Sequence, residues 1–361
     1  MTNEPSNPEF PLVDFVVCTR NDRRSIGATL DSIAAQTVRP VTCTIVDGLS
    51  KDGTVEFVRE CYPWVRVRIK ETDSGPADSR NIGQSLGTAE FVAFLDSDVT
   101  LSPDWAEAQI TLLRGRPAVG IAGGKQLYPP LPGTLYSAHG VMSRYGVGWD
   151  GGRGQPAASF ADVIRCVWVN SGSMFVRRSL LERMGAFDVG MYLGCEDSDI
   201  GWRANLFGAE VVFNPKAVAE HHMHGVTDVN AINTAVVPGF RSEAMTSRLS
   251  YIWRNRFRSI LVNYEIGSLL RYTLPFLVLS MAEAALRPPR ALKWQSFWWN
   301  VTHLKDTLAR RRWVQSHRTV RDREIRWLFC SALRGPGYAF FPKKGHREHF
   351  PTELKETPGV Q

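Results

Sequence analysis

Along the first half of the chain, short β-rich apolar runs alternate with segments whose apolar residues recur every three or four positions. Residues 13–18 (VDFVVC) read as a strand. From Ser25 onward, Ile26, Leu30 and Ile33 fall at helical spacing, with Ser25 placed as an N-cap and Pro40 as a stop. Residues 41–47 (VTCTIVD) form a second strand ending in a carboxylate, 55–61 a helix, 65–69 a strand and 77–86 a helix. Residues 90–95 are a nearly continuous apolar run of the buried-strand kind, again ending in a carboxylate, Asp96. Ser102 and Pro103 predict the start of the next helix, as N-cap and first-turn proline. Residues 123–170 are rich in Gly, Pro and Tyr and lack a period, which predicts a substrate-facing loop region. Residues 167–177 return to strand character, 196–203 open a helix, 210–213 form a strand, and the chain beyond about 240 is mostly helical.

Strands alternating with helices imply an α/β architecture around a mostly parallel sheet. Such sheets bind ligands beyond the carboxyl ends of their strands. The polar clusters sit at those ends: Thr19–Asn21 after the first strand, Asp47 at the end of the second, and Asp96 and Asp98 after the run at 90–95. The expected organisation is a flexible lead over 1–11, a catalytic domain over 12–240, a helical membrane-associating extension over 241–335 and a flexible tail over 336–361.

Charge separates the two halves. Residues 241–361 hold 22 Lys/Arg against 9 Asp/Glu, whereas residues 1–240 hold 21 against 27. The asymmetry points to an anionic partner for the C-terminal part, either nucleic acid or a membrane. Two apolar stretches there, 272–282 and 294–304, fall short of the ~18–20 residues a spanning helix needs and fit interfacial or buried segments. They are flanked by Arg271, Arg287, Arg290 and Lys293, and followed by an arginine-rich run containing Trp313 and Trp327. This combination favours an anionic membrane surface. No zinc-finger or RNA-recognition signature accompanies it, so nucleic acid is not an expected partner. The six cysteines form no C-x-x-C pair, and the opening residues lack a basic and an apolar region of secretory type. The expected location is therefore cytoplasmic, peripheral on the inner face of the cell membrane.

The chemistry lies in the acids. Asp96-Ser97-Asp98, two carboxylates past a buried strand, can share a hard divalent cation with substrate phosphates. Mn²⁺ takes the same ligands and also accepts imidazole. Glu196-Asp197 opens a helix, and His221, His222 and His224 follow. A helix N-terminus lowers the pKa of Asp197, and repulsion from Glu196 raises it; the sequence leaves that balance open. Asp199 and Arg203 stand four apart, the spacing of a helical ion pair anchoring this helix. Trp149 and Trp168 are candidates for stacking on a sugar, with core packing the expected role of Trp168.

The order of these elements resembles the family 2 glycosyltransferases of GT-A fold. The matching segments are VVCTRNDRRSIGATLDSIAAQT, TIVDGLSKDGT, DSGPADSRNIG, FVAFLDSD, SGSMFVRRSLLERMGAFD and GCEDSDIGWRANLFGAEVVFNPKAVAEHHMHG, spanning residues 13 to about 225. The basic run RRRWVQSHRTVRDREI is similar to the rhamnosyltransferase-like branch. The resemblance implies an inverting, metal-dependent hexosyltransferase that uses Mg²⁺ or Mn²⁺. It implies a dTDP- or UDP-sugar donor, with dTDP-rhamnose a candidate, and a saccharide or lipid-linked saccharide acceptor in cell-surface polysaccharide synthesis. Thr19, Arg20, Asn21 and Asp47 would form the donor site, Asp47 hydrogen-bonding the nucleobase. Arg80 would reach the base or a phosphate, and Asp96 the ribose or metal. Asp98 would ligate the metal, and His221 would be a further ligand or a diphosphate contact. Asp197 would be the catalytic base, with Glu196 orienting it or holding the acceptor. The alternative function is a non-catalytic nucleic-acid- or membrane-binding protein acting through its basic tail.

Overall fold

The computed structural model describes residues 11–222, 243–286 and 290–331. Residues 1–10 of the expected lead, the end of the extension over 332–335, the tail over 336–361, the boundary near 240, and His224 lie outside them. The sheet is built from β1 (Val13–Thr19), β2 (Val41–Asp47), β3 (Arg66–Ile69), β4 (Phe91–Asp96), β5 (Val99–Leu101), β6 (Val119–Leu127), β7 (Leu135–Ser137), β10 (Ile164–Arg165), β11 (Ser173–Arg177) and β12 (Glu210–His221). Its order is β10-β12-β6-β11-β4-β1-β2-β3, with β5 on β12 and β7 on β6. β3, β2, β1 and β4 are parallel, β12 is parallel to β6, and β11 runs antiparallel between β4 and β6. β8 (Gly140–Met142) and β9 (Gly148–Asp150) form a separate hairpin.

Alternation along the central strands gives each face its core. Phe15 and Val17 of β1, with Phe91, Ala93 and Leu95 of β4, pack with Ile26, Leu30 and Ile33 of α1 (Ile26–Ala34) and Trp105 of α4 (Trp105–Gly115). Val16, Val92 and Phe94 face the other side, toward α5 (Arg178–Met184) and α6 (Glu196–Leu206). A strand covered on both faces needs apolar residues at every position, which is why β4 reads as an unbroken run. The remaining helices of this half are α2 (Thr54–Cys61) and α3 (Gly75–Ser85).

Four local expectations change. Ser25 precedes α1, but its hydroxyl donates to the Asp22 carbonyl rather than capping the helix. α4 begins at Trp105, because the Trp105 N–H closes a turn onto the Ser102 carbonyl ahead of the helix. The expected loop region 123–170 contains the end of β6 and the strands β7 to β10, whose two- and three-residue lengths are too short to show a period. Conversely, residues 167–172 stay outside β11.

The C-terminal region is helical: α7 (Glu243–Asn263), α8 (Ile266–Leu286, with a π-helical stretch Leu269–Thr273), α9 (Arg290–Thr302), α10 (Leu304–His317) and α11 (Asp322–Ile325). Several of its arginines turn inward. Arg258 pairs with Asp188 through two bonds of 2.8 and 3.0 Å, Arg318 with Asp322 at 2.7 Å, and Arg310 donates to the Ala186 carbonyl. Part of the basic excess therefore builds the fold rather than facing a partner.

Candidate active site

Parallel pairing aligns the carboxyl ends of the strands. Thr19 is in register with Asp47, and Cys18 with Asp96, so three strand ends open on one edge. The loops there are tied to each other. The Asn21 N–H donates to the Ser50 hydroxyl and the Asn21 side-chain oxygen accepts from the Lys51 N–H, both at 2.8 Å. Asn21 takes a left-handed φ of 58° to do so, a conformation asparagine tolerates. Asp47 is buried and accepts from the Ser50 N–H at 2.9 Å and from its hydroxyl. Buried Thr19 donates to Asp22 at 3.1 Å. Arg20 is exposed and pairs with Asp73.

Asp96, Asp98 and His221 come together so that one ligand atom from each lies within 4.8 Å of the others. β5 explains the histidine. It runs antiparallel to β12 with Val99 opposite His221, which sets His221 beside Asp98 at 3.3 Å. The Tyr136 ring meets the imidazole edge to face, with centroids 4.7 Å apart. His221 is buried and its Nδ1 has no hydrogen-bond partner. Burial opposes its protonation, yet the hydrogen bond it donates to Asp98 and the charges of Asp98, Asp96 and Asp150 carry its pKa above the ordinary histidine value. Such a site attracts positive charge. Two carboxylates and an imidazole are a donor set that fits Mn²⁺ or Mg²⁺. His222, the residue after the end of β12, meets the Thr100 hydroxyl instead, at 3.1 Å.

The second acidic pair opens α6. Gly194 and Cys195 both take left-handed φ values, 81° and 69°, and turn the chain sharply into the helix. Glu196 is buried, with its Oε1 3.3 Å from Arg80 and its Oε2 unpartnered. Asp197 accepts from the Ser198 N–H at 2.7 Å. Burial, then the charges of Glu196 and Asp150, push its pKa up to about 8 against the pull of the Ser198 N–H and Arg80. Desolvation, which a sequence does not display, decides the balance left open between helix terminus and like charge.

Arg80 joins the two pairs. Its buried guanidinium donates to Asp96 at 2.9 Å and to Glu196 at 3.3 Å. Asp96, Asp98, His221, Glu196 and Asp197 thus share one site, with Arg80 as its internal cation. Thr19, Asn21 and Asp47 line the strand-end loops beside it, and Arg20 lies farther out on Asp73. Gly172 permits the close approach: a Cβ there would lie 2.9 Å from Asp96 Oδ2. Gly75, at a φ of +79°, lets the Tyr192 carbonyl pass where a Cβ would sit at 2.3 Å.

Asp150 is a site residue that the sequence does not reveal. It ends β9, accepts from the Ser137 hydroxyl at 2.9 Å and Arg153 at 2.7 Å, and its charge acts on both His221 and Asp197. The only cue was the Trp149-Asp150 pair inside the aperiodic region. Trp168 is a core residue, donating to the Val141 carbonyl at 3.2 Å. Trp149 packs half-buried against the same core.

The helix that bears Asp197 is held from behind. Asp199 and Arg203 form a fully buried 2.8 Å pair, and Arg203 also donates to the carbonyls of Met184, Gly185 and Ala186. Ser259 and Asn263 of α7 donate to Asp199, and Asn255 donates to the carbonyls of Met191, Leu193 and Gly194. One helix of the C-terminal region therefore fixes the loop leading into Glu196.

Known proteins resemble this chain in sequence and in fold. Residues 14–183 match the family model described as Glycosyl transferase family 2. The pre-mycofactocin glycosyltransferase of Mycobacterium tuberculosis is 28% identical over 224 residues, covering 60% of this chain and 44% of that protein. The succinoglycan biosynthesis protein ExoO of Rhizobium meliloti is 34% identical over 103 residues, 28% of this chain and 30% of that protein. The chain thus spans less than half the length of either relative in these matches. Among solved structures, GalNAc-T7 with UDP, GalNAc and Mn²⁺ has a TM-score of 0.57 at 15% identity, over 84% of this chain and 58% of that one. TarS 1-349 of S. aureus has a TM-score of 0.50 at 16% identity, over 78% and 77%. The fold is GT-A, and residues 14–183 are similar to the family 2 glycosyl transferases. The family match ends at residue 183, ahead of Glu196, Asp197 and His221.

Proposed function

We propose that the chain is an inverting, metal-dependent glycosyltransferase. It moves a sugar from a nucleoside-diphosphate donor to a hydroxyl of a saccharide or lipid-linked saccharide in cell-surface polysaccharide synthesis. The observation that carries this reading is the single cluster in which Arg80 joins Asp96, beside Asp98 and His221, to Glu196, beside Asp197. Asp96, Asp98 and His221 would hold Mn²⁺ or Mg²⁺, which when bound neutralises the diphosphate as it leaves. The donor set supports this assignment, and the Mn²⁺ and UDP in the GalNAc-T7 structure belong to a neighbour alike in fold.

The chain's own groups supply the rest. Asp47, fixed by Ser50 at the floor of the strand-end cleft, offers a carboxylate to the N–H groups of a nucleobase. Asp197 takes the acceptor hydroxyl's proton on its carboxylate as the oxygen attacks the anomeric carbon. Its raised pKa makes it a stronger base than an exposed aspartate. One base, with attack opposite the departing diphosphate, gives inversion. Glu196, paired with Arg80, stands beside that base and raises its pKa by like charge. UDP- and dTDP-sugars are the donors to examine first, dTDP-rhamnose included on the resemblance of the basic run.

A donor screen tests this reading. Nucleotide release from UDP-, dTDP- and GDP-sugars is followed with Mn²⁺ or Mg²⁺. Release from at least one donor, abolished by EDTA and restored by metal, is the expected result. No release above the buffer rate from any donor with either metal counts against it.

A further inference from the structure

Two regions of the C-terminal part carry apolar residues that the fold does not bury. α8 is 21 residues long with a mean hydropathy of 1.4 and only 12% of its apolar window buried. Among the described residues it is the one helix long and apolar enough to cross a membrane by length and composition. The apolar stretch expected over 272–282 belongs to a longer helix that extends back through Arg271, which stays exposed, to Ile266. Ile266, Leu270, Leu274 and Val278 recur every four positions and are each more than half exposed. On α9, Trp294, Trp298 and Val301 repeat the pattern, at 44%, 67% and 59% exposure. A soluble monomer rarely leaves contiguous apolar surface beyond a few hundred Å² uncovered.

The inner flanks of both helices are fixed to the protein. Phe276 packs on Phe257 of α7 with ring centroids 5.2 Å apart, Tyr272 on Tyr264 at 5.8 Å, and Ala284 near the far end of α8 is fully buried. On α9, Ser296 donates to the Ser250 carbonyl and Asn300 to the Arg254 carbonyl, both 3.0 Å. A spanning α8 would have to pull Phe276 and Ala284 off the protein, so the fold suits a helix lying along a surface.

The charge around this face selects the surface. Arg271 on α8, Arg290 at the start of α9, and Lys305 and Arg312 on α10 are exposed. A cavity of about 440 Å³ between the start of α8 and α10 is lined by Glu265, Ile266, Leu308, Arg311, Arg312 and Gln315. It sets apolar walls beside guanidinium groups. Arg311 is committed to the Leu261 and Tyr264 carbonyls, whereas the exposed Arg312 faces outward. A second copy of the chain would bring its own arginines against these; an anionic bilayer brings phosphates.

We propose that α8, α9 and the start of α10 form a platform that seats flat on an anionic lipid bilayer, with the apolar flanks among the acyl chains and the arginines at phosphate level. This does not depend on the chemistry at Asp197. It does connect to it, because α7 carries the platform on one side and the loop into Glu196 on the other.

The full chain is sedimented with vesicles of phosphatidylcholine alone and of phosphatidylcholine with phosphatidylglycerol, two parts to one. Binding to the anionic vesicles is expected, weakened by salt. The double variant Leu274→Ser/Val278→Ser, at exposed positions, should bind about tenfold or more weakly with an unchanged melting temperature. Arg290→Gln and Arg312→Gln should each cost roughly fivefold. The proposal is overturned if the chain stays in the supernatant with anionic vesicles at low salt, or if it binds both vesicle types equally. It is also overturned if the chain is a dimer that the double variant dissociates and that ignores vesicles.

Discussion

The two acidic pairs are made of the same chemistry and live in different water. Asp96 and Asp98 sit where a strand ends and the cleft opens, with side chains 35% and 18% exposed and an imidazole beside them. Glu196 and Asp197 sit where a helix begins, Glu196 buried at 8% and Asp197 half-buried. At the open pair, negative charge accumulates until His221 itself is drawn toward the protonated state. At the second pair, desolvation and then the charges of Glu196 and Asp150 push the pKa of half-buried Asp197 up to about 8. The same residue type therefore meets different surroundings in the two places. Arg80 allows both pairs to persist at close range, since it gives each one bond.

Removing the base should have the largest effect. Asp197→Asn keeps the shape and deletes the proton acceptor, so kcat should fall by about 10²–10⁴-fold. Calorimetry should show nucleotide with Mn²⁺ binding as before, and unchanged turnover would remove Asp197 from the role. Next is the link. Arg80→Met leaves Glu196 buried and unpaired, which costs about 3–5 kcal/mol of stability in comparable pairs. Denaturant unfolding checks it, and a change under 1 kcal/mol, by the same ~3–5 kcal/mol yardstick, means that Arg80 is not the link.

The pH profile sharpens the contrast between the pairs. With Asp197 titrating at about 8, log kcat/KM should rise with unit slope, roughly tenfold per pH unit, up to that pH and then level. A flat profile between pH 6 and 9 assigns the proton elsewhere. The smallest effect is on stability. The native Asp197 holds a proton that the unfolded chain releases near its ordinary value of 3.8. Stability from this group is therefore complete below that value and is lost as pH rises toward 8. Asp197→Asn removes the loss, so near pH 8 the inactive variant should melt roughly 2–4 °C above the parent chain. A variant that melts lower points to a structural role for the carboxylate.

Much of this site was legible because buried parallel strands write themselves as apolar runs and their carboxyl ends as acids. Asp47 and Asp96 stand out for that reason, and Glu196-Asp197 because a helix start invites acids. Asp150 was not legible, since β7 to β10 are two or three residues long and carry no period. The register of β5 on β12, which brings His221 to Asp98, is a long-range pairing with no local trace. The charge excess after residue 240 was visible, but not its division. Arg258 and Arg318 serve Asp188 and Asp322 inside the fold, whereas Arg271, Arg290 and Arg312 face out. A burial pattern is needed to tell them apart.

The central claim is that Asp98 and His221 grip a cation while Asp197, one guanidinium away, does not. Calorimetric titration of UDP and dTDP, each with and without Mn²⁺, into the parent chain, Asp98→Ala and Asp197→Asn tests it most directly. Metal-dependent binding of at least one nucleotide in the parent and Asp197→Asn, lost in Asp98→Ala, is the predicted result. Equal binding by Asp98→Ala, or binding that ignores the metal in the parent chain, would contradict it.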